Sequence, residues 1–147
     1  MRYLLTGLAL SLAAIPAATR AADPEAPVFS KGPVWDFTFV RTQDGHFDDY
    51  VHWLAGQWQD QQEAFKKAGY ISNYKVLVVA DPRKDEPDLI LATEYPNMAA
   101  FDRSADEEYA FQKKLFGSIK TANQEQAARG SIRTIQGDIL TREMLLK

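Results

Sequence analysis

The two histidines of this 147-residue chain both fall in one heptapeptide, HFDDYVH, His46 to His52. Asp49 and His52 are three residues apart, and Asp48 and His52 are four apart, so either pair shares one face of a helix. Imidazole with carboxylate suits zinc or iron, so His46, Asp49 and His52 form the one alternative to a metal-free protein. A structural explanation weighs more. Asp48 and Asp49 stand in the first turn of an amphipathic stretch, where the helix dipole favours negative charge. His52 lies on the helical wheel well away from Phe47, Val51 and Leu54 and should face solvent. The chain is therefore expected to hold no metal and no cofactor.

The second set with chemical potential is polar and sits on otherwise apolar strands: Asp36, Thr38, Glu94 and Arg142. Burying a carboxylate is unfavourable unless it is paired or protonated, so such groups often mark a site. Glu94 and Asp36 are the candidate general acid or base. Thr38, Tyr74, Tyr95, Trp35 and Arg142 are the candidate ligand contacts. The competing explanation is an ion pair of Asp36 or Glu94 with Arg142 or Arg133, which would be purely structural. The aromatic residues could line an apolar cavity or simply form core and interface. There is no cysteine, G-x-S-x-G, P-loop or G-x-G-x-x-G, which argues against nucleotide-dependent chemistry and motif-marked hydrolases.

These residues need elements to position them. VWDFTFVR, Val34 to Arg41, alternates Trp35, Phe37 and Phe39 with Asp36 and Thr38, the period of a strand. The aromatic face should be the one that packs on helices, leaving Asp36 and Thr38 to point into a lumen. Phe47, Val51, Leu54, Trp58 and Phe65 line one arc of a helix from Phe47 to Ala68, with Lys66 and Lys67 in its last turn and Gly69 as its stop. Tyr70 to Ala80 reads as a valine-rich strand. A polar loop, DPRKDEPD, leads to a second strand, LILATEY, and the two form an antiparallel hairpin. Asn97 caps a short helical piece. Ser104 and Glu107 have capping-box spacing and start a helix that runs through Phe111, Leu115, Ile119 and Ala122 to Gly130. Ile132 to Leu146 closes the chain as a strand, with Gly137 allowing a bulge.

The order β-α-β-β-α-β predicts an α+β domain with a four-stranded antiparallel ferredoxin-like sheet. Two helices cover one face of such a sheet. Val76 to Val79 are apolar on both faces, so the other face also needs a cover. A second copy of the chain, packed sheet to sheet, supplies one. A homodimer is the expected assembly.

The N-terminus has a different character. Arg2, an apolar run from Leu4 to Ala14 and the small residues that follow make 1–21 a signal peptide with cleavage expected after Thr19-Arg20-Ala21. The apolar run falls short of the ~20 residues that span a bilayer, so no membrane anchor is expected. Export, to a bacterial periplasm, is the corresponding localisation. Residues 22–33, with three prolines and a glycine, read as an extended leader, and 34–147 as the folded domain. Loss of Arg2 and Arg20 would make the net charge of −3 more negative, which argues against nucleic acid as a partner.

The strand order, together with a third strand ending in TEYPNMAAFD, resembles the dimeric α+β barrel superfamily, which includes antibiotic-biosynthesis-monooxygenase-like and NIPSNAP-like domains. The resemblance spans Val34 to Leu146 and implies a ferredoxin-like fold and a homodimeric barrel. Such domains include cofactor-free oxygenases, isomerases, cyclases, heme enzymes and proteins without known activity, so function has to come from a site. The reading is a secreted homodimer that holds a small, partly apolar molecule in its lumen. A cofactor-independent enzyme of monooxygenase, isomerase, cyclase or lyase type, using a lumen carboxylate and tyrosine, is the alternative.

Overall fold

The computed structural model describes residues 25–147, so the expected signal peptide lies outside the described residues. Strand β1 (Phe29–Thr42) is followed by helix α1 (Phe47–Trp53), a π-helical turn (Leu54–Trp58) and helix α2 (Gln59–Lys67). Strands β2 (Asn73–Val78) and β3 (Leu89–Tyr95) come next, then a 3-10 turn (Met98–Phe101), helices α3 (Ala105–Phe116) and α4 (Ile119–Ala128), and strand β4 (Arg133–Leu146). The four strands form one antiparallel sheet in the order β2-β3-β1-β4. This is the order that β-α-β-β-α-β connectivity requires when each helix crosses over the sheet in the right-handed sense.

Strand β1 starts at Phe29, five residues before Val34. Part of the expected leader is thus built into the sheet, where Phe29 to Lys31 pair with Leu146 to Met144. The β1–β4 pairing is offset twice, between Lys31 and Val34 and between Phe39 and Val40, and at the second offset Gly137, at φ 154°, supports the bulge.

The register assigns the two faces. Val34, Asp36, Thr38 and Val40 lie opposite Tyr95, Thr93, Leu91 and Leu89 and share their face. This face meets the helices. Val40 and Leu89, both at 0% exposure, form the core with Leu91, Tyr50, Leu54 and Trp58. Each fully buried apolar side chain of this size contributes roughly 1.5–3 kcal/mol. The expected orientation of β1 is therefore inverted: Trp35, Phe37 and Phe39 point away from the helices. Val34 and Val40 are the residues that seat the helical layer, and Asp36 and Thr38 lie between them.

The first helix also seats a different stripe from the one the wheel suggests. Tyr50, Leu54 and Trp58 are buried, while Phe47 and Val51 are exposed. Tyr50, 1% exposed, enters the core and stacks on Trp53 at 5.3 Å. The π turn inserts a wider loop of backbone, which rephases the buried face so that Leu54 and Trp58 both meet the sheet. Asp88 joins β1 to β3: its carboxylate accepts from the Thr42 backbone N–H at 3.1 Å and from the Thr42 hydroxyl.

The second half departs from a single helix. Ser104 and Glu107 form the expected capping box, and Asn97 accepts from the Ala99 N–H. The helix then breaks at Gly117, φ +76°, and Ser118 caps α4. The chain leaves α4 through a 3-10 turn (Arg129–Ser131), so Gly130 is not the αL stop that its position suggested.

Gly117 and Gly56 separate backbone strain from packing, because a Cβ at either position meets nothing within 4 Å. Gly117→Ala should lose about 1–2 kcal/mol, the left-handed penalty of a side-chain-bearing residue. Gly56→Ala, in helical backbone, should gain about 0.5–1 kcal/mol by restricting the unfolded chain. Urea unfolding of the two variants checks the opposite signs.

Candidate functional site

Near the Tyr95 end of the sheet the helical layer is thin, since α3 and α4 bury no residue completely. Two adjoining clefts open there and share Phe65, Tyr70, Tyr95 and Arg103. The deeper is about 80 Å³ and adds Gln62, Ile71 and Thr93. The outer is about 250 Å³ and adds Glu108, Phe111 and Gln112. Phe65 comes from the amphipathic face of α2 and Phe111 from α3, and they meet at 5.0 Å. Tyr70 follows the Gly69 stop and sets its ring at 4.8 Å from Phe111, edge-on. Tyr95 ends β3 and packs on Phe101 at 4.6 Å. The walls are therefore aromatic.

The polar groups are few and specific. The Arg103 guanidinium lies 4.3 Å over the Tyr70 ring, and its buried Nε has no hydrogen-bond partner. Among the described residues the ion pairs are His46–Asp49 and Arg83–Glu86, so Arg103 forms no ion pair, although Glu108 lines the same outer cleft. Burial pushes the Asp36 carboxyl above its ordinary 3.8, and the charge of Asp138, diagonally across on β4, adds to the rise. Burial likewise raises the Tyr95 hydroxyl; the negative charge of Asp36 raises it further, and Arg103 opposes the rise. Asp36, Tyr95 and Arg103 thus share one electrostatic environment. It contains two groups that favour their protonated forms beside one fixed cation.

The sequence candidates divide between the two faces. Asp36 and Tyr95 are on the cleft side, and Thr38 shares their face nearer the core. Trp35 and Glu94 pair with each other across β1 and β3 on the opposite face, where Trp35 stacks on Phe37 at 6.0 Å and carries Lys75 Nζ at 4.9 Å. Asp36 and Glu94 therefore do not converge. Tyr74 donates its hydroxyl to Glu63 at 2.6 Å, a bond that raises its pKa, and lies edge-on to Trp58 at 5.4 Å. It lines a separate cleft of about 260 Å³ with Leu54, Ala55 and Trp58. Arg142 donates from Nε to the Gly32 carbonyl at 3.4 Å and makes no ion pair with Asp36 or Glu94. His46 Nδ1 meets Asp49 at 2.8 Å, and His52 Nδ1 meets the Asp48 carbonyl at 2.9 Å. The two histidines thus have separate local partners, and no group of three potential metal ligands occurs among the described residues.

Arg103, Phe65 and Phe111 are absent from the sequence candidates, and Tyr70 stands there only as one of the aromatic residues that could line a cavity. Phe65 and Phe111 lie on helical stripes that look like core. Arg103 carried one usable signal: it is a lone cation in the joint between a capped turn and a capping box.

No protein-family model and no curated protein matches the chain. Among solved structures, it is similar to HapK from Hahella chejuensis, with 13% identity, 75% of this chain and 91% of that chain covered, and a TM-score of 0.50. Protein SO0527 from Shewanella oneidensis shares 13% identity over 79% of this chain and 93% of its own, with a TM-score of 0.43. A dimeric ferredoxin-like protein from an uncultured marine organism shares 9% identity over 80% and 90%, with a TM-score of 0.47. Identities this low speak to fold alone, and the HapK superposition carries that comparison. The fold is ferredoxin-like. In this ferredoxin-like chain the aromatic cleft lies between the helices and the sheet, on the side away from the exposed sheet face.

The Asp36 shift has a defined linkage sign. Its folded pKa is raised, so ionised Asp36 destabilises the fold, and stability falls as pH rises from the unfolded value through the folded one. Asp36→Asn should therefore exceed the wild type in stability at pH 7, and the difference should vanish below pH ~3.5, where both states of Asp36 are protonated. Urea unfolding at the two pH values measures this.

Proposed function

We propose that the protein binds a small, partly apolar molecule that carries an acidic group, in the cleft walled by Phe65, Tyr70, Tyr95 and Phe111. The carrying observation is Arg103, a guanidinium that makes no ion pair among the described residues, held over an aromatic ring at the cleft wall. Guanidinium forks match carboxylates and other oxyanions, and aromatic walls suit a ring or acyl chain. In this reading the ligand sits between the helices and the sheet. The working form is a homodimer joined through the exposed sheet face. That face presents Trp35, Phe37 and Phe39 together with Leu77 and Ile139, the last two 42% and 51% exposed. A contiguous apolar face of this kind is unusual on a soluble monomer. Export under the direction of residues 1–21 completes the proposal.

A second reading is favoured by the raised pKa values of Asp36 and Tyr95. A cofactor-independent enzyme would use Asp36 as base and Tyr95 as proton donor on a ligand that Arg103 orients. Asp36→Asn separates the two readings, since it should abolish turnover but retain binding.

Both parts of the main reading can be measured. The aromatic sulfonate 8-anilinonaphthalene-1-sulfonate is a suitable probe of the cleft. Arg103→Gln should weaken its binding about tenfold, which is ~1.4 kcal/mol, and unchanged affinity would remove Arg103 from the site. For the dimer, Ile139→Lys places a charge in the sheet face and should convert a dimer to a monomer in sedimentation velocity at micromolar concentration. A wild-type chain that sediments as a stable monomer would refute the assembly.

A further inference from the structure

At the other end of the sheet, the register pairs Thr42 with Arg133, six residues along β1 from the Asp36 position. A second cationic cluster lies there, independent of the aromatic cleft. Arg129 opens the 3-10 turn between α4 and β4, and Arg133 opens β4. The Arg129 guanidinium lies 4.3 Å over the Trp53 ring. Arg133 acts electrostatically on the hydroxyl of Tyr50, the largest fully buried side chain of the core, which stacks on the same Trp53 ring at 5.3 Å. Nε of each arginine is buried and has no hydrogen-bond partner.

Among the described residues no carboxylate forms an ion pair with either arginine. Burial lowers the Arg129 pKa, and the charge of Arg133 acts on it in the same direction. Glu125, one turn back on α4, is the carboxylate that acts on Arg129, and it makes no ion pair with it. Asp88 is within electrostatic range of Tyr50, and its oxygens accept from the Thr42 N–H and hydroxyl, so its charge acts on the site from a distance and makes no ion pair there. Two half-buried like charges with orphaned donors are unfavourable unless an anion completes them. The aromatic stack on one side and the tyrosine on the other hold both forks in place, so little ordering is needed on binding.

We propose that Arg129 and Arg133, with the Tyr50 hydroxyl between α1 and β4, form an oxyanion-binding site for a phosphate or carboxylate group of a small molecule. The anion accepts from the two guanidinium groups and relieves their repulsion.

The test is calorimetric titration of the full chain with inorganic phosphate, and separately with malonate, at constant ionic strength in chloride. Saturable binding of either anion is expected, and the tighter of the two names the chemistry. Arg129→Gln should weaken it about tenfold or more, as loss of a charge-assisted fork does. Glu125→Gln, which leaves the arginines intact, should tighten it about threefold by removing the nearest opposing charge. If Arg129→Gln does not fold, Glu125→Gln decides the matter alone. Absence of saturable binding of both anions overturns the proposal, as does binding that neither substitution changes.

Discussion

Everything in this chain depends on how one helical segment seats on one sheet face. Tyr50, Leu54 and Trp58 press on Val40, Leu89 and Leu91, and that contact forms the core. The segment can deliver three large side chains in line because the π turn rephases the helix at Leu54–Trp58. Side chains on β1 alternate, so seating Val40 on the helices also commits Asp36 and Thr38 to that side and sends Trp35, Phe37 and Phe39 to the other. The placement of the Asp36 carboxylate on the helix side and of the aromatics on the open face are thus a single decision.

Coverage of the chosen face is uneven, and the candidate cleft lies where it is thinnest. The first helix closes the end near Val40, where polar groups are tied into the framework by Asp88 and Thr42. Near Tyr95 the layer consists of α2, the Tyr70 turn and α3, which touch mainly through rings. Rings leave gaps, and the gap is lined by Tyr95, whose ionisation burial opposes, with Asp36 on the same sheet face. A cation without an ion pair and an acid that resists ionisation are individually unfavourable, and the proposed acidic ligand would answer the first of them.

Much of the architecture was legible because it rests on local signals. Strand alternation, the Ser104–Glu107 box, the Asn97 cap and the Gly137 bulge are written in a few adjacent residues, and they appear where their spacing places them. Orientation was not local. Whether β1 turns its aromatic or its valine face to the helices is settled by tertiary packing, and an apolar stripe on a strand does not say which partner it meets. The break at Gly117 was missed for a related reason: the apolar residues Phe111, Leu115 and Ile119 keep a helical spacing across it. The candidate site suffered most. Asp36 and Tyr95 were within reach as unusual polar strand residues. Glu94 looked equivalent to Asp36, although it stands across from Trp35 on the other face. Arg103 and Tyr70 come together only when two loops distant in sequence meet.

The central claim is that a ligand enters between helices and sheet near Arg103, and the most direct measurement is amide chemical-shift mapping with 8-anilinonaphthalene-1-sulfonate on isotope-labelled protein. The account predicts saturable shifts at Phe65, Tyr70, Thr93, Tyr95, Arg103 and Phe111, with Trp35, Phe37, Leu77 and Ile139 unmoved. Shifts confined to the second group would place binding on the sheet face and contradict it.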